Sequence, residues 1–218
     1  VVLDYSAKNS ARGYDLGMGR PPGYDRREVL AALERQFRKT GYEGTSLDDI
    51  CAATGLGRGS LYAAFGDKHT MFMAALGDYC DQAEAAQAAA LHGPDETAMD
   101  RLRAFLTRTI DDRLADPDHL GCMVSRFAVE VGGRDTQATD RLRRGYELMR
   151  DALAECVRAA QRHGDVDPAA SPCVLANLLI AQNRGLEVLM GLGLERAELM
   201  AAVDAALAGL PAPPPTSG

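Results

Sequence analysis

No apolar run in this 218-residue chain approaches the roughly 20 residues that a helical membrane span needs, so no membrane partner is expected. The N-terminal stretch lacks a charged patch followed by an apolar core, and no secretory leader is expected from it. Five cysteines, at 51, 80, 122, 156 and 173, are odd in number and show no Cys-x-x-Cys spacing. That argues against a disulfide framework and for a reducing, cytoplasmic setting. Strand-like alternation, internal repeats and heptads are missing. So are a nucleophile elbow, a His-Glu-x-x-His pair and a phosphate-binding glycine loop; Gly57-Arg58-Gly59 follows a helical pattern, which is the wrong context for a dinucleotide fingerprint. No enzyme and no cofactor are expected. Asp116, Asp118, His119 and Cys122 fall within seven residues, but Asp116-Pro117-Asp118 reads as a turn before a helix, and no metal site is expected.

What is present is an ordinary globular composition, 46% hydrophobic and 25% charged, with a net charge of −7. The charge is unevenly spread. Residues 1–68 carry ten Lys/Arg against nine Asp/Glu, and residues 69–218 carry fourteen against twenty-two. A near-neutral head is thus followed by an acidic body, which would repel nucleic acid and confine its contact to the head.

The periodicity is helical throughout. Val29, Leu33 and Phe37 repeat at i, i+4, i+8 behind Asp25 and Glu28, a capping-box spacing, and Gly41 closes that helix. Ser46 with Asp49 opens a short helix closed by Gly55; Gly57 opens another over Arg58–Phe65; Asp67 opens a fourth, to about Leu91. Longer helices are predicted near 95–115, 121–132, 136–163, 170–191 and 195–209, with glycine and proline at the breaks. The expected fold is all-α, about nine helices, divided into a flexible basic arm (1–24), a three-helix head (25–67), a helical body (68–210) and a Pro-rich disordered tail (211–218).

The stretch Thr45–Lys68, TSLDDICAATGLGRGSLYAAFGDK, puts two short helices on either side of a tight glycine-containing turn, a helix-turn-helix. Leu47, Ile50, Leu56, Leu61 and Phe65 suit the inward face, and Ala52, Ala53 and Gly59 a close crossing. Arg58, Ser60, Tyr62 and Ala63 are left to face outward, as a helix in a major groove would need.

From Tyr24 to Leu76 the chain resembles the DNA-binding head of the TetR family of bacterial regulators. The marks are Phe37 ahead of Lys39-Thr40-Gly41-Tyr42, then Thr45-Ser46-Leu47, Ile50, Gly55-Leu56, Gly59-Ser60-Leu61-Tyr62, Phe65 and Lys68. Gly19-Arg20-Pro21 resembles the short basic arm that often precedes such heads. The resemblance implies a two-fold homodimer on a palindromic double-stranded operator, and a body that binds a small molecule. It implies phosphate contacts from Thr45, Tyr62 and Lys68 and base reading from Arg58 and Ser60, supported by Arg20. Arg58 suits either the guanine edge or a phosphate. Ala63, where the family commonly has a bulky polar residue, offers only a methyl group.

In the body, Thr109 and Arg113 are polar members of an apolar stripe with Leu102 and Leu106, Arg126 lies one turn beyond Cys122, and Tyr146 shares a stripe with Leu142 and Met149. Together with Met123 these are the candidate ligand contacts. An anionic or carbonyl-bearing ligand is expected if either arginine points inward. The helix from Val174 to Met190 is apolar nearly all round, and Leu199, Val203, Leu207 and Leu210 recur on the last helix. Leu178, Leu189, Leu199, Val203 and Leu207 are therefore the candidate dimer contacts. The function expected is a repressor released by a small ligand. Alternatives are an architectural DNA-binding protein without an inducer, and a redox or electrophile sensor acting through Cys122 or Cys80.

Overall fold

Local capping chemistry sets where each helix begins. In the computed structural model, which describes residues 23–118 and 120–215, Asp25 accepts the Arg27 N–H at 2.8 Å and opens α1 (Arg26–Gly44). The regular helix breaks at Gly41, and one further turn runs to Gly44. Ser46 and Asp49 form a reciprocal capping box (Asp49 N–H to Ser46 Oγ 3.1 Å, Ser46 N–H to Asp49 Oδ2 2.8 Å) at the start of α2 (Leu47–Thr54). Gly55 ends α2 at φ 69°, in the left-handed region that favours glycine. After Gly57 comes α3 (Arg58–Phe65), and Asp67 caps α4 (Lys68–Leu91) by accepting Thr70 N–H at 2.8 Å.

A short 3-10 turn, Asp95–Thr97, leads into α5 (Ala98–Ala115). Then follow α6 (Met123–Glu130), α7 (Thr136–His163), α8 (Pro172–Gly191) and α9 (Arg196–Ala208). Among the described residues there are nine α-helices and no strand, and no helix is long and apolar enough to cross a membrane. Residues 211–215 are non-helical, with the Pro211 carbonyl accepting Asp167 N–H at 2.8 Å.

Two apolar cores organise the molecule. The body core gathers Leu102, Leu106 and Ile110 of α5, Leu153 and Val157 of α7, Leu179 of α8 and Leu199 of α9. The head core joins Leu33 and Phe37 of α1, Ile50 of α2 and Leu61 of α3 to Phe72 and Leu76 of α4, Phe127 of α6 and Leu142 of α7. Phe72 is its hinge-pin, edge-on to Phe37 (5.3 Å) and to Phe127 (4.8 Å). The head is therefore seated on the front of α4 and on α6, sharing its core with the body.

The last helix departs from the sequence reading. Leu199, Val203 and Leu207 are 0%, 1% and 6% exposed within the single chain, so their stripe completes the chain's own body core and none of the three is free to meet a second copy. Leu189 is partly buried against the same core, and only Leu178, at 44%, stands out. A stripe at i, i+4, i+8 identifies a buried face without saying what buries it. The apolar face left open is on α8, where Val174, Leu178, Ala181, Gly185, Val188 and Leu192 recur at alternating spacings of four and three along the exposed side.

Candidate nucleic-acid interface and ligand cavity

The outer face of α3 is built by what α3 buries. Leu61 and Phe65 point into the head core, which leaves Arg58, Ser60, Tyr62 and Ala63 exposed on the opposite side. Gly59 is exposed too, and a Cβ there would meet nothing within 4 Å; Ala52 and Ala53 are also exposed. The small residues thus keep the outer surface low instead of tightening the helix crossing. Arg58 Nη2 is held at 2.7 Å by Asp48 Oδ1 of α2, with 58% and 79% of the two side chains exposed. Lys68, at the start of α4, lies with its Nζ 4.7 Å from the centre of the Tyr42 ring.

Thr45 is a correction. It is 1% exposed, and its hydroxyl donates to the Gly41 carbonyl (2.5 Å) and pairs with Thr40 Oγ1 (2.7 Å). It fastens the end of α1, so its side chain has no reach to a phosphate. Arg20 and the rest of the N-terminal arm before residue 23 lie outside the described residues, as does His119.

The second site is a partly open cavity of about 440 Å³ between α1, α4, α5 and α8, floored by the Gly121–Cys122 turn that precedes α6. This is within the size range of small-molecule sites. Thr109, Arg113 and Cys122 of the sequence-derived set line it. Arg126, Tyr146 and Met123 do not. Arg126 is exposed and faces Glu130 (3.8 Å), Tyr146 donates to Asn177 Oδ1 (2.7 Å) between α7 and α8, and Met123 is fully buried in the head core. The cause is register. Cys122 sits in the turn before α6, so counting one helical turn from it to Arg126 does not preserve the face; α6 itself turns Met123 and Phe127 inward.

The sequence reading missed the cavity's best-held polar groups. Asn183 is 3% exposed and donates to Thr109 Oγ1 at 2.5 Å. Arg184 Nη1 reaches Glu187 Oε1 (2.8 Å), Ser125 Oγ (3.0 Å) and Cys122 Sγ (3.2 Å). The available signal was polar residues on consecutive faces of a helix otherwise apolar all round. Burial pushes the Tyr79 phenol well up, and the adjacent Cys122 adds to this, so Tyr79 is a neutral hydroxyl on the wall. The head contributes Glu34 and Arg38. Arg38 Nε donates to the Gly121 carbonyl at 2.9 Å, its Nη2 shares that acceptor, and its other bonds go to Glu34 (2.9 Å) and Asp116 (3.4 Å). Burial would raise the Asp116 carboxyl, but the N–H groups of Leu120 and Asp118, with the charges of Arg38 and Arg113, hold it below the usual range. Those bonds leave Asp116 occupied within its own turn.

A helix-turn-helix with a low, exposed second helix, seated on a cavity-bearing helical body, defines a DNA-binding transcriptional regulator. The comparisons agree. Residues 29–75 match the family model for bacterial regulatory proteins of the tetR family, and residues 98–207 match that for the tetracyclin repressor-like C-terminal domain. The chain belongs to the TetR family. It is 25% identical over 192 residues to the HTH-type transcriptional repressor ComR of Escherichia coli strain K12, covering 87% of this chain and 91% of the relative. It superposes with a TM-score of 0.71 and 28% identity on a cysteine mutant of the regulator CifR solved with 26bp double-strand operator DNA, covering 88% of this chain and all (100%) of that one. A TetR regulator from Chloroflexus aurantiacus J-10-FL gives a TM-score of 0.69 at 26% identity, covering 84% and 90%.

Proposed function

We propose that the chain is a homodimeric, cytoplasmic repressor that holds a palindromic operator through α3 and lets go when a small molecule enters the body cavity. The observation that carries this reading is the position of the cavity. Its wall includes Glu34 and Arg38, which belong to α1 of the head, so an occupant touches the element that carries the DNA-reading helix. Arg58, Ser60, Tyr62 and Ala63 would face the major groove, with Lys68 and Tyr62 toward phosphate. Pairing of the open α8 face with its two-fold copy would set the spacing of the two heads. Catalysis forms no part of the reading.

The cavity weighs against an architectural protein without an inducer, which has no use for one. A thiol sensor keeps one supporting observation, the Arg184 guanidinium at 3.2 Å from Cys122 Sγ on the cavity wall. Cys80 does not support it, because burial pushes that thiol up to about 11 and takes it off the surface. The test is a compound screen by thermal shift followed by operator titration. Compounds that raise the melting temperature should weaken operator binding. Stabilising compounds that leave operator affinity unchanged would refute release by ligand.

A further inference from the structure

Three guanidinium groups from three helices converge on the Gly121–Cys122 turn. Arg38 of α1 donates into the Gly121 carbonyl, and Arg184 of α8 bonds Cys122 Sγ. Arg113 of α5 lies so close against Gly121 that a Cβ at this position, itself at φ 74°, would run into the guanidinium. The positive φ favours glycine at this position, and a side chain there would also have to push the end of the Arg113 side chain aside.

The charges around the cavity do not pair evenly. Arg38 is held by two carboxylates, Glu34 and Asp116; Arg184 is held by Glu187, and Arg108 by Asp112 (3.2 Å). That uses every carboxylate on the wall. Among the described residues no carboxylate lies within ion-pair distance of Arg113, which is half-buried and lines the cavity. A cationic guest would find no unengaged acid. The Arg113 charge acts on the Asp116 carboxyl from beyond ion-pair distance, so a neutral guest would leave Arg113 without a direct anionic partner. Four guanidinium groups share the wall with four carboxylates, and a monoanion would give Arg113 the direct partner it lacks. Phe105, Ala83, Ala86 and Val124 on the same wall offer apolar surface to the rest of such a molecule.

We propose that the cavity takes a small carboxylate bearing an apolar group, seated on Arg113 beside the Gly121 turn, and that Arg38 relays its presence to the head. This rests on the reading of the chain as a ligand-released regulator. The carboxylate sits where Arg38 and Arg113 meet. It competes with Asp116 and the Gly121 carbonyl for the Arg38 fork, a bidentate partner that guanidinium favours. When Arg38 turns to the ligand, α1 loses its bond to the α5–α6 turn, and the seat of the head on the body changes. Ligand and operator then favour different head positions, which is what coupling between the two sites requires.

The experiment uses the full chain on its selected operator, with benzoate, phenylacetate and hexanoate as probes and the matched amides as neutral counterparts. The acids should raise the melting temperature more than their amides and weaken operator binding about tenfold or more at saturation. Arg113→Gln should lose both responses, and Arg113→Lys, which restores the charge, should recover the stabilisation. Arg38→Gln should still be stabilised by the acids, yet its operator affinity should change less than twofold on adding them. Arg38→Lys keeps a charge without the fork and serves if the glutamine variant does not fold; its operator response should also fall. Amides that act as strongly as acids, or acids that act undiminished on Arg113→Gln, overturn the carboxylate assignment and leave the regulator reading standing. Full operator release from both Arg38 variants overturns the relay. A wild-type chain that selects no operator overturns the regulator reading and this proposal with it.

Discussion

Val188→Glu separates the open apolar face of α8 from the closed face of α9. Val174, Leu178, Val188 and Leu192 are 63%, 44%, 64% and 74% exposed in the single chain. Full burial of such a side chain contributes about 1.5–3 kcal/mol, so covering the exposed part of Val188 contributes about 1–2 kcal/mol. A two-fold interface repeats every contact, which doubles the loss. A glutamate there adds an unpaired charge at the seam, of the kind that costs about 3–5 kcal/mol when no partner compensates it. The sum exceeds about 4 kcal/mol, or roughly a thousandfold in dimer dissociation at 1.4 kcal/mol per decade. Because residue 188 is exposed in the protomer, the variant should keep its helical circular dichroism and sediment as a folded monomer. Val203→Glu should behave differently. Val203 is 1% exposed inside its own body core, so the charge attacks a fold whose total stability is about 5–15 kcal/mol, and the chain should lose helical signal or aggregate. A Val188→Glu protein that sediments as a wild-type dimer, or a Val203→Glu protein that stays folded and merely dissociates, would refute the assignment of the two faces.

Other outcomes follow from the same geometry. Arg58→Ala should relax preference at one base pair per half-site by about ten- to a hundredfold in a sequence-resolved binding assay; equal weakening on every sequence would move Arg58 to a phosphate. Asp135 accepts the Ala138 N–H at the start of α7 and pairs with His69 at 2.7 Å, and both hold its carboxyl below the usual range. A lowered folded-state value stabilises the fold above the unfolded value near 4 and loses that contribution as pH falls through the folded one. Asp135→Ala should therefore cost about 1–2 kcal/mol at pH 7, and its melting temperature should converge on wild type as pH falls through the lowered folded-state value. Thiol labelling at pH 8 should mark exposed Cys173 first and leave Cys80, pushed up to about 11 by burial, untouched until unfolding; early Cys80 labelling would contradict the packing of the head core.

The sequence was legible wherever a local rule suffices. Ser46 with Asp49, Asp67 and Gly55 mark helix ends by chemistry that acts within four residues, and each sits at a helix end in the structure. The outward set Arg58, Ser60, Tyr62 and Ala63 follows from Leu61 and Phe65 pointing in, because an eight-residue helix has only two sides to assign. Legibility failed where a residue's neighbour comes from far along the chain. Nothing in the local sequence around Arg38 shows that Gly121, 83 residues on, lies beside it. Leu199, Val203 and Leu207 form an apolar stripe whether a partner or the chain itself covers it. Thr45 carried a role from the family resemblance, while its contacts with Gly41 and Thr40 depend on how α1 ends.

On the proposed function, α3 of each head reads one half of a symmetric duplex site. Selection of the full chain against a pool of random-sequence duplexes, repeated over a series of salt concentrations, tests it most directly. The expected result is enrichment of an inverted repeat whose half-sites lie on one face of the DNA, with affinity falling linearly in log–log form as salt rises. A pool that stays random, or binding indifferent to salt, would contradict it.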